Sequence, residues 1–313
     1  SNVTVSPRIT GGELLNGLDI LATLPLTLSH MGVGVVGTKI YLFGGKYSTK
    51  YQSAIHVFDT ETETITTLDV TLPTTLFSMG VGVVGTKIYL FGGRVGTSSS
   101  TYIYIFDTET ETITTLDTNL PNALYDMGVG VVGTKIYLFG GKPSSNPLNT
   151  ITVFDPESST LVTLDVNLPT SFYSMGVGVV GTKIYLFGGT NSSTYYSSIY
   201  IFDTETNTIT TSDLTLPTGI SDFGVGTVGT KVYLFGGALR SGVSNLIIPF
   251  VTNNPLPSGD VLIQTDMTSN LFPLISGETA IETGIRNVYI GNADNVMEKV
   301  DAYIHNGSEW VRI

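Results

Sequence analysis

A run of fifteen residues, MGVGVVGTKIYLFGG at Met31–Gly45, returns letter for letter at Met79–Gly93, Met127–Gly141 and Met175–Gly189. A fifth copy, Phe223–Gly237, differs only at Phe223, Thr227 and Val232. Successive copies start 48 residues apart. A fixed period of that length restricts the chain to architectures in which one supersecondary unit stacks on copies of itself, because a lone unit cannot bury its own apolar face.

The unit has a strand pattern. Met31–Gly37 alternates small and branched residues, Gly37-Thr38 is a tight turn, and Lys39–Phe43 is rich in β-branched and aromatic residues. Gly44-Gly45 breaks that strand, and a polar loop, Lys46–Ser53, follows. Ala54–Phe58 reads as a third strand, Asp59–Glu63 as a turn and Thr64–Asp69 as a fourth, Thr-rich strand. Val70–Ser78, with Pro73, leads to the next copy. Four short antiparallel strands per unit, with no helical period, predict a propeller blade rather than a helical solenoid.

The unit resembles the kelch repeat. The carrying residues are Ile40-Tyr41-Leu42-Phe43-Gly44-Gly45 and Ile55-His56-Val57-Phe58-Asp59-Thr60-Glu61-Thr62, with the Tyr kept at Tyr89, Tyr137, Tyr185 and Tyr233. Two positions depart from the family pattern. Its fourth-strand Trp is replaced by Ile65, Ile113, Leu161 and Ile209, and the Arg before its first strand by Ser29, Phe77, Tyr125, Tyr173 and Ser221. The resemblance spans roughly 16–251 and implies the fold; it leaves function open, since one fold hosts many functions.

The expected architecture is all-β: a five-bladed kelch-type propeller. The third-strand Phe holds register at Phe58, Phe106, Phe154, Phe202 and Phe250, but Val251–Asp260 (VTNNPLPSGD) carries no fourth strand. Shifting Leu68 and Pro73 back by one period lands on Ile20 and Pro25. Asn16–Leu21 is therefore expected to pair beside Leu246–Phe250 and close the last blade, removing an open sheet edge. The expected layout is an N-terminal arm at 1–15, the propeller at 16–251, a linker at 252–259 and a small C-terminal β module at 260–313. Strands are expected in that module at Asn287–Gly291, Val300–Ile304 and Glu309–Ile313. A degenerate sixth blade is the rival reading of the module, and register argues against it: the blade Tyr would fall at position 281, not at Tyr289.

The last 30 or so residues also resemble C-terminal stretches of structural proteins from phages of Gram-positive bacteria. The carrying residues are Asn287-Val288-Tyr289-Ile290-Gly291-Asn292 and Ala302-Tyr303-Ile304-His305-Asn306-Gly307-Ser308-Glu309-Trp310-Val311. That resemblance implies a virion component, with other virion proteins as partners through 260–313.

Charge and composition narrow the partners. A net charge of −12 repels phosphate backbones, which argues against nucleic acid. The absence of cysteine removes disulfides, thiolate metal sites, a Cys nucleophile and the Tyr–Cys cofactor of kelch-type copper oxidases. SNVTVSPRITGGELL has neither a basic n-region nor a long apolar h-region, so no signal peptide is read, and no apolar run reaches the ~18–20 residues of a membrane span. No cofactor is expected.

Differences between copies separate scaffold from candidate site. They concentrate in the second-to-third-strand loops and in the connections from each fourth strand to the next first strand, which emerge on the same face of an antiparallel blade. Loops there carry function more often than the scaffold does. This variable face offers Tyr47, Tyr51, Phe77, Tyr125, Tyr173, Tyr195 and Tyr196 with Lys46, Arg94, Lys142 and Arg240. Aromatic rings beside polar groups suit sugar faces or protein partners. For Phe77, Tyr125 and Tyr173 the alternative is packing beneath a neighbouring loop. His30, Ser78, Asp126, Ser174 and Asp222 precede the innermost strands and are expected at the channel mouth, with Asp222 beside His30. The other face is uniform, with Lys39 and its copies near the axis and Asp-Thr-Glu turns farther out; spaced by Thr on a tight turn, those acids read as solvated rather than as a calcium site. No metal site is expected, since His30, His56 and His305 lack ligand spacing. No nucleophile constellation stands out, and a sugar hydrolase would need paired carboxylates, for which Asp126 and Asp222 are the only acids in the variable connections.

The sequence thus points to a non-enzymatic binding or structural protein: a virion appendage (tail, baseplate or capsid decoration) meeting a host-surface glycan or protein, with homo-oligomerisation open. The alternatives are a cellular, cytoplasmic kelch-type interaction module and a sugar-active propeller enzyme.

Overall fold

The computed structural model describes residues 22–244 and 247–251, and five strands beyond them. Among the described residues there is no helix, and every strand up to Val251 that has a neighbour pairs antiparallel with it. Blade one is built from Gly32–Val36, Lys39–Phe43, Ala54–Asp59 and Thr64–Thr71, in that order from the axis outward. Blades two, three and four repeat the order, starting at Gly80–Val84, Gly128–Val132 and Gly176–Val180. Blade five contributes Gly224–Val228, Lys231–Phe235 and Ile247–Val251. The inner strands of all five blades line one central channel.

Two details differ from the sequence reading. The fourth strand of blade one runs on to Thr71, across a register shift between Ala54 and His56 that blades three and four share. A bulge of this kind bends an outer strand without ending its pairing. The loop after Gly44-Gly45 is a small hairpin, Lys46–Tyr47 with Lys50–Tyr51, rather than open coil. Ser48 sits at φ 52°, the left-handed conformation that so short a hairpin turn demands.

The repeated glycines are explained by how blades meet. Gly32 faces blade two, where a Cβ would overlap the Met79 sulfur and come within 2.9 Å of Val81. Gly44 lies at φ 58°, where an added Cβ would also overlap the Leu76 carbonyl oxygen.

Between blades lies the core. Phe106 of blade two is fully buried against Tyr41 and Phe43 of blade one, with ring centroids 5.5 Å apart in each pair. Phe154 does the same to Tyr89 and Phe91 and Phe202 to Tyr137 and Phe139, while a half-buried Phe250 makes the same ring contacts with Tyr185 and Phe187. Such tilted and edge-on contacts are the favoured aromatic geometries. The apolar residues form four separate clusters, one per junction: blades one–two, two–three, three–four and four–five.

The fifth junction is different. Backbone N–H groups step round the axis from Ser78 to the His30 carbonyl, from Asp126 to Ser78, from Ser174 to Asp126 and from Asp222 to Ser174, at 2.8–3.1 Å. Among the described residues no link joins His30 to Asp222. Blade five likewise offers Tyr233 and Phe235, but among the described residues these stack only on each other, and Phe58 of blade one, their counterpart by register, is half-buried. Phe235 is 45% exposed, where Phe43, Phe91, Phe139 and Phe187 are at 0%. On blade one, Val33 and Val35 point to the same open side and are 49% and 55% exposed. Among the described residues, the five blades share one axis with four docked junctions and one undocked. The expected closing strand Asn16–Leu21 lies outside the described residues.

The chain divides after Phe250 into two compact units. In the second, Asp260–Ile263 runs parallel to Asn287–Gly291, which pairs antiparallel with Met297–Val300, and Tyr303–His305 pairs with Trp310–Arg312. The expected Val300–Ile304 strand is split in two. A parallel pair has no place in a kelch-like blade, whose strands all alternate in direction.

Candidate functional site

Each blade reaches the variable face through the same device. The residue before the axis position makes a two-way backbone bridge to the residue after Gly-Gly: Ser29 with Lys46, Phe77 with Arg94, Tyr125 with Lys142, Tyr173 with Thr190 and Ser221 with Ala238. The next residue then turns left-handed, at φ 52–56° in His30, Ser78, Asp126, Ser174 and Asp222. Non-glycine residues rarely adopt this conformation, and it persists where surrounding structure fixes it. Here the bridge on one side and the blade-to-blade ladder on the other do so. The effect is to swing five short polar side chains to the lip of a cup.

That cup has a volume of about 510 Å³. Its lip is the five axis residues and its floor is Met31, Met79, Met127, Met175 and Phe223. Burial raises the Asp126 carboxyl above the usual carboxylate range; a hydrogen bond from Ser78 opposes this, the Asp222 charge adds to it, and His30 and Arg94 oppose it. His30 does not pair with Asp222 as the sequence suggested. Its Nδ1 lies 3.1 Å from the Ser29 hydroxyl and its ring meets Phe77 edge-on, while the Asp222 carboxylate accepts from the Ser221 hydroxyl at 2.6 Å. The two residues flank the undocked junction, which keeps them apart.

Asp126 gives a pH-dependent prediction. A carboxyl whose pKa is higher folded than unfolded holds its proton better in the native state. Stability then falls as pH rises through the unfolded value, about 4, toward the folded one. Asp126→Asn is therefore expected to stabilise the propeller near neutrality and to lose that advantage below pH ~4, read from thermal melts at several pH values.

Outside the lip runs a belt of rings and cations. Tyr51 stacks flat on Phe77, with centroids 4.7 Å apart and planes at 1°. The Arg94 guanidinium lies between Phe77 and Tyr125, 5.5 and 4.9 Å from their centroids, and donates to the Thr97 carbonyl. Lys142 sits 4.7 Å over the Tyr173 ring and donates to the Ser192 hydroxyl at 2.9 Å. The Tyr51–Phe77, Arg94–Tyr125 and Lys142–Tyr173 contacts each cross from one blade to the next, so the belt staples blades one to four as well as decorating them. Cation–π pairs contribute from about 0.5–1 kcal/mol when exposed to about 2 kcal/mol when desolvated, and these, half-buried, fall between. Tyr196 receives a hydrogen bond from Asn191 and packs edge-on to Phe172. Tyr195 lies half-buried over Gly219; Tyr47, on the same hairpin as Tyr51, and Arg240 are exposed.

The stapling roles of Arg94 and Lys142 were missed in the sequence, although the signal was present: Arg or Lys one period-fixed step from Phe or Tyr. His56 was missed as well. It is buried at 3% exposure, its Nδ1 lies 2.8 Å from the Thr67 hydroxyl, its Nε2 is buried without a partner, and burial lowers its pKa.

On the uniform face the Asp-Thr-Glu turns are self-contained. The Asp59 carboxylate accepts the backbone N–H groups of Glu61 and Thr62, and Asp107 and Asp203 repeat the pattern. Thr60 donates from both its N–H and its hydroxyl to the Thr38 carbonyl, tying outer turn to inner turn. These are turn-forming carboxylates.

No curated protein matches the chain. The family model for the KLHDC2/KLHL20/DRC7 Kelch-repeats domain matches residues 26–237, two thirds of the chain and nearly all of the described blades. With Gly-Gly and Tyr in every blade, and the blades set around one axis, the chain belongs to the Kelch-repeat family of β-propellers.

Proposed function

We propose that the protein is a non-enzymatic binding module whose variable face takes a protein partner. Kelch-repeat propellers are generally protein-binding modules rather than enzymes. The observation that carries the reading here is the continuous ring-and-cation belt from Tyr51 to Tyr173 beside a polar-lipped cup. Flat aromatic area edged with donors is the composition of binding hot spots. The belt comes prefixed by its own staples, which lowers the ordering cost of binding.

The finer reading is a virion appendage, with residues 260–313 as the attachment to other virion proteins and the propeller meeting a host-surface protein or glycan. It rests on the C-terminal sequence motifs. It requires the protein to be present in purified particles.

The test of the binding face is a comparison of variants. Tyr125→Ala/Tyr173→Ala should abolish capture of a specific partner, whereas the opposite-face pair Thr86→Ala/Thr182→Ala should not. A glycan array run in parallel separates sugar from protein ligands. A partner retained equally by both variants would place binding elsewhere.

A further inference from the structure

The cup on the variable face holds charge that the propeller itself leaves unanswered. Asp126 of blade three and Asp222 of blade five share its lip. Among the described residues neither carboxylate forms an ion pair. Asp222 is exposed and spends one oxygen on the Ser221 hydroxyl, and Ser78 donates to Asp126. Arg94 acts on Asp126 least of its neighbours, because its guanidinium is held between the Phe77 and Tyr125 rings. The Ser174 hydroxyl has no partner among the described residues. Exposed Asp69, Asp117, Asp165 and Asp213, late in the fourth strands or just past them, surround this face with further negative charge. Such a field draws a cation toward the cup.

The shape of the cup selects among cations. No three metal-ligating side chains come close enough to hold a metal ion among the described residues. The volume of about 510 Å³ lies within the range of small-ligand pockets. The oxygens of Ser78, Asp126, Ser174 and Asp222 come from four blades set round one axis. A guanidinium is a planar fork that wants a carboxylate presented side-on from one direction. An ammonium carries three donors that splay sideways from its C–N bond. On a chain descending along the axis, those donors point at the lip and none points at the floor. The floor, Met31, Met79, Met127, Met175 and Phe223, offers no acceptor, only adaptable thioethers and a ring that attracts cations.

We propose that the cup receives the ammonium group of one lysine side chain, presented by the protein partner that covers the ring-and-cation belt. The inference rests on the binding reading of the variable face and deepens it by naming the residue the partner must bring to the axis. The belt supplies apolar area around that point, and the cup fixes the partner's position over it. A partner with an acidic or an apolar residue at that position meets two uncompensated carboxylates and is rejected.

Methionine methyl NMR on the full chain tests it, with Nα-acetyl-lysine methylamide as the probe. The probe should shift the methyl signals of Met79, Met127 and Met175, assigned with Met79→Leu, Met127→Leu and Met175→Leu, and should saturate in the millimolar range that so few atoms allow. Nα-acetyl-norleucine methylamide, the same stem without the ammonium, should leave those signals in place. Asp126→Asn/Asp222→Asn should weaken the lysine probe about tenfold, the loss of two partly exposed charge pairs. Asn tolerates the left-handed backbone at both positions, so this variant keeps the lip, and a melting curve no lower than the parent's checks that it is folded. No shift with the lysine probe, an equal shift with the norleucine probe, or full affinity in the variant would overturn the proposal. The binding reading is judged separately. A partner lost with Tyr125→Ala/Tyr173→Ala but captured at full strength by Asp126→Asn/Asp222→Asn keeps the binding face and removes the lysine. A probe that fills the cup while the partner survives Tyr125→Ala/Tyr173→Ala overturns the belt reading alone.

Discussion

Phe154→Ala is expected to lower the unfolding free energy by about 3–5 kcal/mol, and Phe58→Ala by less than half as much. The two residues hold the same place in blades three and one. Phe154 is fully buried between Tyr89 and Phe91, with centroids 5.5 and 5.4 Å away, so truncation removes the apolar transfer energy and leaves a cavity in a junction that cannot collapse. Phe58 faces the undocked junction, is already half-solvated, and has no aromatic partner across it among the described residues. Equilibrium denaturation by urea measures both. Equal costs would mean that blade five docks on blade one in solution as tightly as the other blades dock on one another.

Deleting residues 1–22 is expected to convert a soluble propeller into an aggregating one. Blade five has only three described strands, so Ile247–Val251 offers an unpaired edge, the kind of edge that templates association between chains. The 48-residue period places Asn16–Leu21 where that blade needs its fourth strand. The next residues point the same way. Leu24 and Leu28 stand in the positions of Leu72 and Leu76, which are at 3% and 0% exposure in the first junction, yet both are only half-buried. Light scattering on heating should show aggregation tens of degrees below the full chain, beyond the few degrees that ~1 kcal/mol shifts a domain of this size. A truncated chain with the parent's melting curve would show that the fifth blade needs no added strand.

Most of the fold could be read from the residues. Exact repetition gave the blade, its strands and the blade number, because the pattern Gly-Val-Gly-Val-Val has only one way to face a neighbour: glycines against the next blade, valines against the previous one. The paired carboxylate turns were legible as well, since Asp-Thr-Glu is turn chemistry written locally. What lay between blades was not. The sequence places Asp222 beside His30 only if five junctions are equal, and it holds no statement about the angle each junction imposes. Arg94 and Lys142 read as cations of a ligand-binding face: their even spacing from Tyr125 and Tyr173 was visible, but the distance between neighbouring blades that turns the contact into a staple was not. His56 was passed over because burial at that position is conferred by what covers it and not by its own strand.

Near-identity among the junctions bears on how the chain reaches its native state. The side of blade one that receives blade two presents nearly the same core residues as the side of blade two that receives blade three, and of blade three that receives blade four: Tyr41 and Phe43 recur as Tyr89 and Phe91 and as Tyr137 and Phe139, while Val57 becomes Ile105 and Val153, and Leu76 becomes Leu124 and Phe172. Packing energy in the core therefore separates adjacent blades from blades once removed only weakly. A chain in which blade one captures blade three, with blade two looped out, fills most of one junction. The shorter connection also favours the correct neighbour, but the loop-closure penalty for doubling a 48-residue separation is only about 0.6 kcal/mol. Refolding from denaturant is thus set up for long-lived, blade-skipped traps, whereas emergence of one blade at a time from the ribosome presents each docking surface with a single candidate.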